Sequence, residues 1–170
     1  MKVMDNVLYT KDHEWLRIEN NCIYIGITDF AQEELGDIIF VEFPPLNDPV
    51  ETGGSIATIE AVKTVADVYS PLSGKIVKIN NLIENQPELI NTDPYGDGWI
   101  ACIETSLPIN SLSTLTSKEY LEWKKMFGEG LGKNVVQFTG ETSSDLTLLK
   151  RGHIVISTCA HWDQMSRRWK

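Results

Sequence analysis

The sequence predicts a mainly β protein, an all-β sandwich or flattened barrel with a few short helices. Several short segments alternate apolar and polar residues, as strands with one buried face do. Gly, Pro, Asn and Asp residues separate these segments at short intervals. Many short strands joined by frequent turns favour a sandwich or a barrel.

The first predicted elements are a strand pair and a helix. Two alternating segments meet at Asn20 and Asn21, which are predicted to form the turn between them. A short helix follows at 29–35, with Asp29 as its N-cap and Gly36 as its stop. We expect this helix to pack against the sheet.

The later elements follow from the same signals. Alternation predicts strands at 38–43, 74–79 and 99–103. A stretch rich in Pro, Asn, Asp and Gly predicts a loop at 85–98, and helical segments are predicted at 108–115 and 117–126, the second capped by Ser117.

A central hairpin carries a single lysine. Residues 55–59 and 65–69 alternate on either side of a tip at 60–64, so Lys63 is predicted to project into water. The tip lacks Asn-Gly or Asp-Gly, so we expect a turn longer than two residues or a bulged one. From the residues alone, an ordinary solvated lysine is the default interpretation.

Composition and charge limit the function classes. The chain of 170 residues is 42% hydrophobic and 23% charged, which is typical of a soluble globular protein. Residues 1–123 hold 7 Lys or Arg and 20 Asp or Glu, net −13, whereas residues 124–170 hold 8 and 4, net +4. This asymmetry predicts two segments of different origin. We place the boundary between them after residue 126, giving domains 1–126 and 127–170. The acidic first segment argues against nucleic-acid binding.

The cysteines and other reactive residues suggest no built-in chemistry. Cys22, Cys102 and Cys159 are far apart and form no CxxC pair, so we expect neither a disulfide framework nor a zinc site. The same pattern favours a reducing compartment. No apolar run approaches the roughly 18 residues of a membrane span. We find no nucleophile with an identifiable base and no phosphate loop, so we expect no catalytic residues.

Four motifs resemble, in order and spacing, the H protein of the glycine cleavage system. They are YTKDHEW (9–15), IGITDFAQEELGDIIFVEFP (25–44), IEAVKTVADVYSPLSG (59–74) and PELINTDPYGDGWI (87–100). The resemblance covers residues 7–117. It implies a barrel-sandwich hybrid fold, as in lipoyl and biotinyl domains, and lipoic acid in amide linkage on Lys63. It also implies that the attaching enzyme reads Glu60 and Gly74. The family usually has serine where this chain has Ala61.

The resemblance further implies a carrier with several partners. These are glycine decarboxylase (P protein), aminomethyltransferase (T protein), dihydrolipoamide dehydrogenase (L protein), and a lipoate ligase or octanoyl transferase. A long tether raises the effective concentration of the carried group at each partner site. The chain starts without a recognisable transit peptide, so we expect the mitochondrial matrix if the source is eukaryotic and the cytoplasm if it is bacterial.

A surface cleft that shelters the loaded arm is also implied. Glu14 and Asp67 match family positions that face this cleft, where carboxylates would favour a protonated amine. His13 would either contact the arm or be fixed by sheet packing, and both interpretations stay open. Glu34 stands where some members of the family carry histidine.

The C-terminal part has a second resemblance. From about Tyr120 to Lys170 the chain is similar to an internal piece of a Ski2-like spliceosomal RNA helicase, through TGETSSDLTLL (139–149) and ISTCAHWD (156–163). This implies a partial α/β RecA-like extension with strands at 135–138 and 154–158 and a helix at 143–150. The lysine of the phosphate loop and the DExH carboxylates are absent, so we expect neither ATP hydrolysis nor unwinding. We predict a poorly packed or disordered appendage.

Four functions therefore compete. A lipoyl carrier of glycine cleavage is favoured, and an H-like relay or donor for other lipoate-dependent systems is the alternative. A nucleic-acid-binding helicase fragment is a distant third. A biotin acceptor on a similar fold is a fourth, but the Met-Lys-Met signature is missing around Lys63.

Overall fold

A computed structural model of the chain describes residues 1–108 and 112–127. The strands in this part are β1 Leu8–Tyr9, β2 Glu14–Glu19, β3 Cys22–Ile27, β4 Ile38–Glu42, β5 Pro49–Val50, β6 Ser55–Ala61, β7 Thr64–Tyr69, β8 Gly74–Ile79 and β9 Ala101–Glu104. The helices are α1 Asp29–Leu35, α2 Asn81–Asn85, α3 Leu89–Thr92 and α4 Ser117–Phe127. The prediction of a mainly β fold with short helices is confirmed.

The strands form two antiparallel sheets. One sheet has six strands in the order β1-β2-β3-β9-β8-β5, and the other has three in the order β4-β6-β7. We call the second the hairpin sheet, because its strands β6 and β7 form the predicted central hairpin. In this sheet β7 is an edge strand, so the segment that follows Lys63 lies at a border of the fold.

A single cluster of buried aliphatic side chains joins the two sheets. The six-stranded sheet contributes Leu16, Ile23, Ile25, Ile27, Val50, Ile76, Ala101 and Ile103, and the hairpin sheet contributes Ile38, Val41, Ile56, Ala57, Ile59, Ala61 and Val68. Burying each Val, Leu or Ile side chain of this cluster is worth about 1.5–3 kcal/mol, which makes the cluster the main stabilising feature.

The start of the chain follows the prediction closely, with one correction. The turn between β2 and β3 is at Asn20, whose φ is +57°, a conformation that asparagine tolerates. Helix α1 ends at Gly36, with φ +78°. Its N-cap is Thr28 rather than Asp29, because the Thr28 hydroxyl accepts a hydrogen bond from the amide of Ala31 at 3.2 Å.

Three later predictions were wrong in detail. The stretch 85–98, predicted as a loop, contains all of α3 and the end of α2. The described part of 108–115 is not helical, and Leu115 instead forms a β-bridge with Tyr9. Helix α4 has Thr116 rather than Ser117 before its first turn, where Thr116 and Glu119 exchange hydrogen bonds as a capping box.

The cysteine prediction also needs correction. Cys22 and Cys102 are joined by a disulfide, although 80 residues separate them in the sequence. Pairing of β3 with β9 brings them together, since Cys22 lies opposite Glu104 and Cys102 opposite Tyr24, which leaves the two cysteines diagonal to one another. The spacing of the cysteines along the chain could not reveal this pair. Because two of the three cysteines form a disulfide, the cysteine pattern no longer supports a reducing compartment.

The C-terminal part lies mostly outside the described residues. The chain divides into two units, Met1–Leu121 and Glu122–Lys170, and every described strand belongs to the first. The predicted strands at 135–138 and 154–158 and the helix at 143–150 fall outside the described residues, and the boundary between 126 and 127 stays a prediction. Among the described helices, none has the length and apolar character needed to cross a membrane.

Candidate functional site

The tip of the hairpin is tighter than the sequence suggested. Strands β6 and β7 pair up to their last residues, Ala61 opposite Thr64, so only Val62 and Lys63 form the loop. The expectation of a longer or bulged turn was wrong. Neither loop residue has a positive φ, so this turn does not need the Asn-Gly or Asp-Gly of the commonest hairpin turns. The amide of Val62 donates to the carbonyl of Asp37 at 3.0 Å, which fixes the tip to the segment before β4.

Lys63 presents its amine to solvent. Its side chain is exposed, and within residues 1–108 and 112–127 it takes part in no ion pair. Ala61 before it is buried and lies between Ile38 and Thr64 of the neighbouring strands. A small residue at position 61 therefore keeps the sheet packed, while the primary amine of Lys63 stands at a tip closed by backbone pairing, where it could accept an acyl group.

Glu60 lies on the outer face of the hairpin sheet. It is exposed and occupies the central strand, between Phe40 of β4 and Val65 of β7. An enzyme that approached the tip from this face would therefore meet the Glu60 carboxylate close to Lys63.

Gly74 has a packing role that the sequence did not reveal. A Cβ at this position would lie 2.4 Å from the carbonyl oxygen of Glu104 and 2.7 Å from Cγ2 of Ile103, so β8 can approach β9 only with glycine here. Five residue steps along β7, about 17 Å, and a further turn separate Gly74 from the tip. Recognition of Gly74 by an attaching enzyme stays a prediction, and packing alone accounts for glycine at this position.

Glu14 is a buried carboxyl group at the start of β2. Its residue is only 5% exposed, and the Thr10 hydroxyl donates a hydrogen bond to its Oε2. Burial, only partly offset by the bond from Thr10, raises the pKa of Glu14 to about 7. Glu14 can therefore hold or release a proton near neutral pH.

His13 belongs to a buried polar group beside Glu14. It has a φ of +66°, and its Nδ1 lies 2.6 Å from the Tyr120 hydroxyl. The Thr28 hydroxyl lies 3.3 Å from the same Tyr120 oxygen, and the His13 ring packs against Phe30 with 4.7 Å between ring centroids. These contacts favour the packing interpretation of His13 over direct contact with a carried arm.

Tyr120 and Thr28 were missed as neighbours of this group. Tyr120 is fully buried, stacks on Tyr9 with 4.6 Å between ring centroids, and has a pKa raised to about 12 by burial. The sequence signal for Tyr120 was only a weak helical periodicity, because its partners Tyr9, His13 and Thr28 lie more than 90 residues earlier in the chain. Thr28 could have been found as a helix cap.

Asp67 and Glu34 are not joined to Glu14. Asp67 is exposed on the hairpin sheet, where its Oδ1 accepts a hydrogen bond from the Thr58 hydroxyl at 2.7 Å, while Glu14 lies in the six-stranded sheet. Glu34 is exposed on α1. The cleft positions thus divide into a buried pair, His13 and Glu14, and two exposed carboxylates on separate elements. The described residues hold no group of three or more His, Cys, Asp or Glu side chains placed to bind a metal.

Comparison with known proteins gives a consistent result. The family model described as glycine cleavage H-protein matches residues 7–127. The glycine cleavage system H protein of Coprothermobacter proteolyticus is 50% identical over 130 residues, covering 76% of this chain and all of that protein. The H protein of Listeria monocytogenes is 47% identical over 120 residues, covering 71% of this chain and 96% of the relative.

A solved structure agrees with the sequence matches. The crystal structure of a glycine cleavage system H protein from Mycobacterium marinum superposes with a TM-score of 0.66 at 35% identity. The match covers 72% of this chain and 99% of that one. The two-sheet fold with short helices is therefore similar to that of an H protein, and all three of these relatives are bacterial.

Proposed function

The chain belongs to the glycine cleavage H-protein family and is a non-catalytic lipoyl carrier of the glycine cleavage system, and we propose that Lys63 is the residue that carries its lipoyl group. The observation that supports this assignment is the position of Lys63 at the exposed two-residue tip of the β6–β7 hairpin. An amine that forms an amide must be reachable by the enzyme that acylates it, and this position provides that access.

The residues around Lys63 fit an attached arm. Val62 and Lys63 are held between paired strands, and the bond from Val62 to Asp37 anchors the tip, so the base of the arm is fixed. When bound, lipoic acid supplies a disulfide that can be reduced to a dithiol on a long flexible chain, where the aminomethyl group of glycine is carried. A rigid base and a flexible arm together let one carrier reach several partner sites.

The partners follow from the family. Membership implies work with the P, T and L proteins of the system. In our proposal glycine decarboxylase loads the carrier, aminomethyltransferase unloads it and dihydrolipoamide dehydrogenase restores the disulfide. A lipoate ligase or an octanoyl transferase attaches the lipoyl group or its precursor.

The cleft residues have separate proposed roles. Glu14, buried and titrating near neutral pH, would accept a hydrogen bond or a proton from a protonated amine on a returning arm. His13 would hold the strand start that positions Glu14, through its contact with Tyr120. Asp67 and Glu34 would contribute negative charge outside the buried pair.

Mass spectrometry tests the attachment. The full chain is incubated with lipoate, ATP and a lipoate ligase, then digested, and the peptide that contains Lys63 is examined. We expect one lipoyl group on this peptide and none on those that contain Lys75 or Lys78, two exposed lysines of β8. An unmodified Lys63 on a folded chain would overturn the assignment.

A further inference from the structure

An exposed stripe crosses the outer face of the hairpin sheet beside Lys63. Phe40, Glu60 and Val65 are cross-strand partners on β4, β6 and β7. Phe40 is 47% exposed and Val65 is 57% exposed, and Glu60 between them is exposed too. Side chains at such positions lie about 5 Å apart. The sheet thus displays a carboxylate flanked by two large apolar side chains.

The stripe is continuous with the tip. Glu60 comes three residues before Lys63 and Val65 two residues after it, and Val62 in the loop is 64% exposed. Exposed large apolar residues that cluster at one place, with polar groups around them, mark an interaction surface. The location of this cluster points to a partner that handles the lysine itself.

The charge of the face selects a basic partner. The next cross-strand row on the same face contains Glu42, Thr58 and Asp67, which adds two exposed carboxylates. Lys63 is the only Lys or Arg between residues 37 and 74, the stretch that contains all three strands of the hairpin sheet. When Lys63 enters an enzyme site, the face that remains carries negative charges only, so a complementary surface brings cations.

The family resemblance already implies that the attaching enzyme reads Glu60. We propose in addition that the enzyme that acylates Lys63 docks over Phe40 and Val65, the two apolar side chains that flank Glu60 in the stripe. It places a cationic side chain over Glu60 and covers the two flanking side chains with apolar surface. The inference rests on the proposed attachment at Lys63. Enzymes that use the carried group can meet it at the end of a long arm, whereas the acylating enzyme must bring the lysine Nζ to its own reacting atoms, so its contacts fall within a few residues of the tip.

The reaction that docking serves is an acyl transfer. The neutral Nζ of Lys63 attacks the acyl carbon of a lipoyl adenylate made from lipoate and ATP. The C–N amide bond forms, the bond from that carbon to the AMP oxygen breaks, AMP leaves, and the proton lost from nitrogen passes to a base of the enzyme. The stripe takes no part in these bond changes and is expected to act through binding.

The test compares lipoylation rates of full-length variants with lipoate ligase, lipoate and ATP. Val65→Thr and Phe40→Thr keep β-favouring side chains but remove apolar surface, and Glu60→Gln removes the charge. The matched control is Ile18→Thr, on β2 of the other sheet, where Ile18 is 38% exposed. We expect each stripe variant to lower kcat/KM about fivefold or more, chiefly through KM, as loss of a central interface residue does. The control should stay within about twofold of wild type.

Two further measurements keep the outcome decisive. Raising the salt concentration should slow lipoylation of wild type more than that of Glu60→Gln. Val65→Lys serves if Val65→Thr fails to fold, because an edge strand tolerates lysine and the new cation repels a basic partner; we expect a loss of about tenfold or more. The docking inference is overturned if Val65→Thr and Phe40→Thr are both lipoylated at the rate of the control, even when Glu60→Gln is slow. Where Val65→Thr does not fold, the rate of Val65→Lys takes its place in this comparison. If wild type itself takes no lipoyl group at Lys63, the attachment fails and the inference fails with it.

Discussion

Gly26 and Trp15 face each other across β2 and β3, and the indole ring of Trp15 fills the space that a side chain at Gly26 would need. A Cβ on Gly26 would lie 2.6 Å from Cζ2 of Trp15. The ring is fully buried, and its Nε1 donates to the carbonyl of Pro94 at 2.9 Å. The ring therefore cannot move aside without losing a buried hydrogen bond.

Replacing Gly26 by alanine should accordingly destabilise the fold. We expect Gly26→Ala to lower the free energy of unfolding by about 1–3 kcal/mol, the usual cost of overpacking a core, and urea denaturation measures it. Trp15→Phe removes the ring atoms that would clash, so the cost of Gly26→Ala should be smaller in that background. An equal cost in both backgrounds would show that the ring is not the cause.

The fold was largely predictable because its strands depend on local patterns. Alternation located 74–79 to the residue, and Asn20 marked its turn correctly. The prediction missed α2 and α3, since helices of five and four residues hold too few apolar positions to show a helical period. The length of the tip was wrongly predicted because the sequence has no typical turn residue there. The turn is instead set by the strand residues on either side, since Ala61 pairs with Thr64 and leaves only two residues in the loop.

The site was predictable only where the sequence motif lies on one element. Alternation on both sides of Lys63 predicted a hairpin with this residue at its tip, so the exposure of Lys63 could be predicted. The surroundings of Glu14 depend on chain-distant contacts such as that between His13 and Tyr120, 107 residues apart, which no local pattern contains. The disulfide between Cys22 and Cys102 was missed for the same reason.

Substituting Lys63 should separate folding from function. We expect Lys63→Arg to unfold at the wild-type temperature, because the side chain is exposed on a turn fixed by backbone pairing, and to support no glycine cleavage. Lys75→Arg, an exposed change of the same kind on β8, is the control. The measurement is glycine-dependent NADH formation with the P, T and L proteins. Activity of Lys63→Arg above the background without carrier would contradict the attachment.

The buried carboxyl of Glu14 should make stability depend on pH. Its pKa is raised by burial from 4.5 to about 7, so between these values the folded protein holds a proton that the unfolded chain releases. The stabilisation that this proton provides is complete below pH 4.5 and lost as pH rises through 7, by roughly 3 kcal/mol in all.

Glu14→Gln removes this titration and keeps a side-chain oxygen that can accept the bond from Thr10. We therefore expect the variant to gain stability relative to wild type as pH rises from 5 to 8, measured by urea denaturation. Glu34→Gln, at an exposed site on α1, controls for the loss of one negative charge. A difference between Glu14→Gln and wild type that stays constant across this range would count against a carboxyl group titrating near neutral pH.

The disulfide between Cys22 and Cys102 should stabilise the chain measurably. It links β3 to β9 across 80 residues of sequence, and a disulfide is typically worth about 2–4 kcal/mol of stability. Dithiothreitol should lower the free energy of unfolding of wild type by this amount, and should not change that of a Cys22→Ala, Cys102→Ala double variant. Alkylation of both thiols in the folded protein without reductant would refute the bond.

Removal of residues 128–170 should leave the carrier intact. The described strands and the aliphatic core lie within Met1–Leu121, and the family match ends at residue 127. Since the hairpin that bears Lys63 is built entirely from residues 55–69, a chain of residues 1–127 should unfold near the wild-type temperature and be lipoylated at the same rate. Cutting instead after residue 112 is the contrasting variant, because it removes the Leu115 bridge to Tyr9 and the buried Tyr120. That shorter chain should lose stability. If the 1–127 chain also unfolded at a lowered temperature, the fold would depend on residues 128–170.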